Sequence, residues 1–196
     1  MKTNLEIEYK TLLSLPEFDH LSKLFSHVKP IRQTNHYLDS PDLQLRKHKL
    51  SLRIRTFDKA AELTLKIPQQ VGNLEHNIYL TSEEARSILS RQQLPETCAN
   101  IQEILDILRR YSIATSDIQI LGSLTTTRRE YQTEIGLMAL DKNEYAGKID
   151  YELEVEVTEA VSGQKHFEHF LKDNKIEYRY ARSKVVRFLD SMGKLT

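Results

Sequence analysis

The sequence predicts an α+β fold built on one antiparallel sheet system, closed or nearly closed. Three observations carry this. About eight segments alternate apolar and polar residues at the two-residue period of a strand. Most of them are joined as hairpins, with helical stretches inserted between pairs. Two of them, at opposite ends of the chain, carry matching acidic faces.

The first strand is Leu5-Glu6-Ile7-Glu8-Tyr9-Lys10, with Leu5, Ile7 and Tyr9 on one face and Glu6, Glu8 and Lys10 on the other. Ser14 can cap a short helix with Pro16 in its first turn and Leu21, Leu24 and Phe25 at helical spacing. A strand is expected from Ile31 to Asp39, broken by Ser40-Pro41-Asp42. Leu50 to Arg55 alternates again and puts Arg53 and Arg55 on one face. Glu62 to Ile67 sets Thr64 and Lys66 opposite Leu63, Leu65 and Ile67. Pro68 ends that strand, and Gly72-Asn73 turns into another from Leu74 to Leu80.

Ser82-Glu83-Glu84-Ala85 reads as a helix start with acids in the first turn, favourable to the helix dipole. A second helix spans roughly Asn100 to Tyr111, with Ile101, Ile104, Leu105 and Leu108 on one stripe. Strand character returns over Ile118 to Tyr131, Thr133 to Asp141 and Ile149 to Thr158. Within the last, Glu152, Glu154 and Glu156 alternate with Leu153, Val155 and Val157. Ser162 is expected to open a helix with Phe167, Phe170 and Leu171, and Ala181 to Leu189 a final one.

The chain has 196 residues, enough for one good-sized domain over 1–196. With 39% hydrophobic and 29% charged residues it reads as soluble and globular. Lys plus Arg and Asp plus Glu each total 28, so no net basic surface invites nucleic acid or an anionic membrane. A single cysteine, Cys98, excludes an internal disulfide and a cysteine-rich zinc site. No apolar stretch suits a signal peptide or a membrane span, so a reducing cytoplasm is expected. His166 and His169 have metal-compatible spacing but no third ligand, and read as exposed helix residues.

The alternating faces collect Glu6, Glu8, Lys10, Arg53, Arg55, Lys66, Arg128 with Arg129 as the weaker of that pair, Asp141, Glu152, Glu154 and Glu156. Taken singly, each could be a solvated strand face, Asp141 could end a strand, and Lys184 could sit in water on the last helix. Alternation alone leaves open which face is inside. If the charged faces share a lumen, its carboxylates call for a hard divalent ion and its cations for a polyanion. A metal-bound triphosphate meets both demands.

Glu6-Ile7-Glu8-Tyr9-Lys10 resembles the ExExK signature of the CYTH family, or triphosphate tunnel metalloenzymes. Further blocks resemble that family in order: Asn35 to Asp39, Leu52 to Arg55, Leu63 to Lys66, Leu124 to Arg128, Tyr151 to Glu156, and Arg182-Ser183-Lys184. The resemblance implies an eight-stranded antiparallel β-barrel tunnel with a charged lumen and helices packed outside. It implies a triphosphate held by Lys10, Arg53, Arg55, Lys66, Arg128 and Lys184. It implies Mg²⁺ or Mn²⁺ on Glu6, Glu8 and a pair drawn from Glu152, Glu154 and Glu156, with Lys10 and Asp141 aiding the chemistry. The activity implied is a metal-dependent triphosphate hydrolase, acting on inorganic triphosphate or a nucleoside or thiamine triphosphate. A class IV adenylyl cyclase and a non-catalytic nucleotide or polyphosphate binder are the alternatives.

Overall fold

The computed structural model describes residues 1–58, 60–96 and 98–194. Among them are eight strands: β1 (Lys2–Leu13), β2 (Ile31–Asp39), β3 (Ser51–Thr56), β4 (Ala61–Pro68), β5 (Asn73–Leu80), β6 (Gln119–Gln132), β7 (Leu137–Tyr145) and β8 (Lys148–Val157). The helices are α1 (Leu15–Leu24), α2 (Gln44–Lys47), α3 (Ser82–Arg91), α4 (Gln102–Arg110), α5 (Ala160–Asp173) and α6 (Lys184–Ser191). The strands follow the order β1-β5-β4-β3-β2-β6-β7-β8 around a closed antiparallel barrel, as the sequence predicts. Closure removes the exposed edges that an open sheet would present.

The chain divides into two compact units, Met1–Leu5 with Thr34–Ser123, and Glu6–Gln33 with Leu124–Thr196. In the first, β3, β4 and β5 form a meander whose Leu52, Ile54, Leu63, Leu65, Ile78 and Leu80 are buried. They pack with Ala85 and Ile88 of α3 and Ile104, Leu105 and Leu108 of α4. In the second, Met138, Leu140, Leu153, Val155 and Val157 of β7 and β8 pack with Leu21 of α1, Phe25 just past its end, and Phe167 and Leu171 of α5. Burying a side chain of this size stabilises by about 1.5–3 kcal/mol. Because the helices cover the apolar strand faces, the alternate side chains, charged in both meanders, are turned to the other side of the wall. That settles the choice that alternation left open.

Local chemistry sets the helix ends. Glu17 accepts from the Ser14 backbone N–H at 2.7 Å, the reciprocal half of a capping box, and also from Arg179. Burial pushes the Glu17 carboxyl up, but the bonds from Ser14, the Glu177 amide and Arg179 bring it down to about 2. Thr81, one residue before the expected Ser82, caps α3 by accepting from the Glu84 amide. Glu159 caps α5, accepting from the Val161 and Ser162 amides, so that helix begins ahead of Ser162. Gly163 lets α5 lie close on β8, since a β-carbon there would fall 2.6 Å from Val157 Cγ2. Residues 133–136 form a turn rather than strand, with Thr133 donating to the Gly136 carbonyl, and β7 starts at Leu137. The last helix starts at Lys184, three residues later than the sequence pattern suggests.

Helix α2 has no periodic signal in the sequence. It is held by Asp39, 5% exposed, whose carboxylate accepts from the amides of Ser40, Leu45 and Arg46 at 2.8–3.0 Å. Burial raises the Asp39 carboxyl above its ordinary range, and these three amides counter it.

Candidate active site

In the second unit the strand register assembles an ionic row before any side-chain detail is considered. Lys10 stands opposite Glu154 and Glu8 opposite Glu156 between β1 and β8. Asp141 stands opposite both Glu152 of β8 and Arg128 of β6. Directly opposed residues share a face, so Arg128, Asp141 and Glu152 form a continuous line across three strands.

Arg128 is the hub. Its Nε and Nη2 donate to the two carboxylate oxygens of Asp141 at 2.8 and 2.7 Å, a bidentate pair. Nη2 also reaches Glu154 at 2.6 Å and Nη1 reaches Glu130 at 2.9 Å. Asp141 is completely buried well inside β7 and does not end a strand. Arg129 points the other way and donates to the carbonyl of Val28.

Lys184, the first residue of α6, enters the same cluster with its side chain 12% exposed. Its Nζ lies 2.6 Å from Glu154, 3.0 Å from Asp141 and 3.1 Å from Glu152. Lys10 donates to Glu8. Burial lowers the Lys184 and Lys10 ammonium pKa values, but the neighbouring carboxylates outweigh it and both end above the ordinary range. Burial likewise raises Glu154, yet Lys184, Arg128 and Lys10 hold it well below the ordinary range. Glu152, buried and repelled by Glu154, is raised despite Lys184 and Arg187.

The first unit carries its own ionic row. Lys66 of β4 stands opposite Glu75 of β5, and their charged ends are 2.8 Å apart. Arg53 stands opposite Thr64, which stands opposite Asn77. Among the described residues the buried Nε of Arg53 has no hydrogen-bond partner. Arg55 donates from Nε to Asn35 at 3.0 Å. Desolvation raises Glu75, but the fields of Lys66 and Arg53 bring it from 4.5 to about 2.

The sequence pattern missed Glu75, because β5 carries His76 on its apolar side and Tyr79 on its polar side, blurring the alternation. The sign of the Glu75 effect on stability is fixed: a depressed carboxyl stabilises the fold above its unfolded pKa and loses that contribution as pH falls toward the folded one. Glu75→Gln is therefore expected to flatten the loss of stability between pH 4.5 and about 2, read by urea unfolding across that range. An unchanged slope would show that the Lys66 pair adds nothing.

Among the described residues no three acidic, thiol or imidazole side chains converge as metal ligands do. Glu8, Glu152, Glu154 and Asp141 are turned onto cations instead. His166 and His169 are exposed, and His169 pairs with Asp173 at 3.2 Å.

A closed antiparallel barrel that turns ionised side chains to one side of its wall and apolar ones to helices on the other defines a distinct class of barrel. The family model described as the CYTH domain matches residues 4–189, and the chain belongs to that family. YjbK of Bacillus subtilis (strain 168), named as a candidate triphosphatase, is 34% identical over 196 residues, 99% of each chain. A candidate adenylate cyclase of Bacillus halodurans has a similar structure, with a TM-score of 0.86, 34% identity, and coverage of 96% of this chain and 99% of the other. HpAC1 from Hippeastrum, a candidate adenylyl cyclase described as having a dominant triphosphatase activity, gives a TM-score of 0.80 at 26% identity over 98% of both chains.

Proposed function

We propose that this chain is a divalent-metal-dependent triphosphate hydrolase, a single CYTH domain over residues 1–196 working in the cytoplasm. The observation that carries the reading is the buried line Arg128, Asp141, Glu154 and Lys184, where cations and carboxylates share one strand face. The names of YjbK and HpAC1 support it.

Glu8 and Glu156 are directly opposed in register, and like charges so placed destabilise a strand pair unless cations lie with them, as Lys10 does 2.5 Å from Glu8. Carboxylate oxygens are also the donors that Mg²⁺ and Mn²⁺ take. The residues present therefore fit the implied metal. Glu6, Glu8, Glu154 and Glu156 would hold it, with Lys10 released from Glu8 and Arg128 and Lys184 from Glu154, whereas Glu152 keeps Arg187, a cation outside the phosphate-binding set. Bound there, the ion would supply charge neutralisation at the phosphate oxygens and a more acidic water.

The protein's own groups do the rest. In the second unit Lys10, Arg128 and Lys184 would bind phosphate oxygens; in the first, Arg53, Arg55 and Lys66 offer donors of the same kind. Arg offers paired donors and Lys a compact charge. Asp141 fixes the guanidinium plane of Arg128, which assigns it to orientation rather than to proton transfer. Among these cations, Arg53 has the donor most plainly left over for a ligand.

The deciding experiment is phosphate release from inorganic triphosphate, ATP and thiamine triphosphate, each with Mg²⁺, Mn²⁺ or EDTA. Metal-dependent release of orthophosphate is expected. Cyclic AMP with pyrophosphate would make the protein a cyclase, and tight binding without turnover a binding protein. Arg55→Ala is expected to weaken triphosphate binding about tenfold at low salt, and less at high salt where charge is screened. Affinity equal to the parent at low salt would remove Arg55 from the phosphate site.

A further inference from the structure

Arg187, on α6 one turn beyond Lys184, is 7% exposed and donates from Nη2 to Glu152. Its Nε lies 3.3 Å from Asp150. Glu152 is completely buried, and its Oε2 is shared between Arg187 and Lys184. Among the described residues, three atoms of this ion pair are buried without a hydrogen-bond partner: Glu152 Oε1, Arg187 Nη1 and Arg187 Nε, the last making only its ion-pair contact with Asp150. Oε1 and Nη1 are the second acceptor and the second donor of the same pair. A planar carboxylate and a guanidinium can close two parallel hydrogen bonds, and this pair has closed one.

We propose that Arg187 is a positioning residue, a standby counter-ion that lets Lys184 leave Glu152 for the substrate. This rests on the triphosphate reading above. With Lys184 drawn onto a phosphate oxygen, Glu152 would be a buried carboxylate that had lost a partner, a strongly unfavourable state. Arg187 prevents this by closing its second hydrogen bond onto Glu152 as Lys184 departs. Asp150, held by Asn143 at 2.9 Å and by the Tyr145 hydroxyl at 2.6 Å, keeps the Arg187 guanidinium in place. The same arrangement assigns Glu152 to Lys184 and Arg187 and leaves metal binding to the other glutamates.

The test is calorimetric binding of the non-hydrolysable imido analogue of triphosphate in saturating Mg²⁺, with hydrogen exchange over residues 184–191 to follow the helix. Arg187→Met is expected to lower affinity at least tenfold, and Arg187→Lys to restore most of it. The decisive variants are Glu152→Gln alone and combined with Arg187→Met. With no carboxylate to strand, both are expected to bind the analogue within about threefold of the parent or more tightly. Glu152→Gln also keeps the inference falsifiable should Arg187→Met fail to fold.

Weaker binding by Glu152→Gln, or a double variant worse than Arg187→Met, would overturn it and make the pair a metal ligand with its support, or a plain structural tie. Arg187→Met binding like the parent would overturn it as well. Failure of the parent itself to bind the analogue would instead remove the triphosphate reading, and this inference with it.

Discussion

Arg128→Met is expected to destabilise the protein by about 3–5 kcal/mol, because it strands buried carboxylates rather than deleting a surface pair. Arg128 alone makes the bidentate contact to Asp141 and also bonds Glu154 and Glu130. Lys184 remains beside Asp141 and Glu154, but one ammonium cannot reproduce four guanidinium contacts. Since a domain is typically stable by about 5–15 kcal/mol, the variant should sit near its unfolding threshold. Urea unfolding reads this directly. Adding Asp141→Asn should recover part of the loss, because it removes one of the stranded charges. A loss below about 1 kcal/mol for Arg128→Met would mean that Lys184 compensates alone.

Glu8→Gln is expected to behave in the opposite way, harmless to the fold and severe for turnover. Glu8 is half-buried and directly opposed to Glu156, so neutralising it relieves repulsion while costing the Lys10 pair. Lys10 keeps the field of Glu154, which limits the net change in stability to about 1 kcal/mol either way. Metal-dependent phosphate release should fall about 100-fold or more, as loss of a ligand forfeits several kcal/mol of transition-state stabilisation. A folded Glu8→Gln variant with undiminished metal-dependent release would sink the assignment of β1 to the metal.

Most of the strand pattern was legible because alternation is written at every second residue, as in Ile31–Asp39 of β2, whose bounds agree with the sequence reading. The face that turns inward was legible only through the family resemblance, not through alternation. It depends on where α3, α4 and α5 lie, and no local period encodes that. Helix starts slipped where a capping side chain outside the apolar run did the work, as with Thr81 and Glu159. Lys184 was visible only through its resemblance block, since on α6 it could equally have faced water. Arg187 was not visible at all. It sits among Val185, Val186, Phe188 and Leu189, where an arginine ordinarily marks a solvent-facing position, and only the fold brings Glu152 and Asp150 to it. Asp39 belongs to one of the resemblance blocks, but its structural task, holding α2, depends on the chain folding back to bring the Leu45 and Arg46 amides to its carboxylate.

The placement of both apolar cores between wall and helices separates what keeps this chain folded from what it handles chemically. In an ordinary small barrel the interior is the core, so altering it to suit a new ligand undermines the scaffold. Here a substitution on the ionic face leaves Leu63, Leu65, Leu153 and Val155 untouched, provided each buried charge keeps a partner. Such a wall can drift between hydrolysis, cyclisation and simple capture through a few balanced charge exchanges, its melting temperature scarcely altered. Laboratory evolution toward new anionic ligands should therefore find compensated pairs of replacements far more often than single ones.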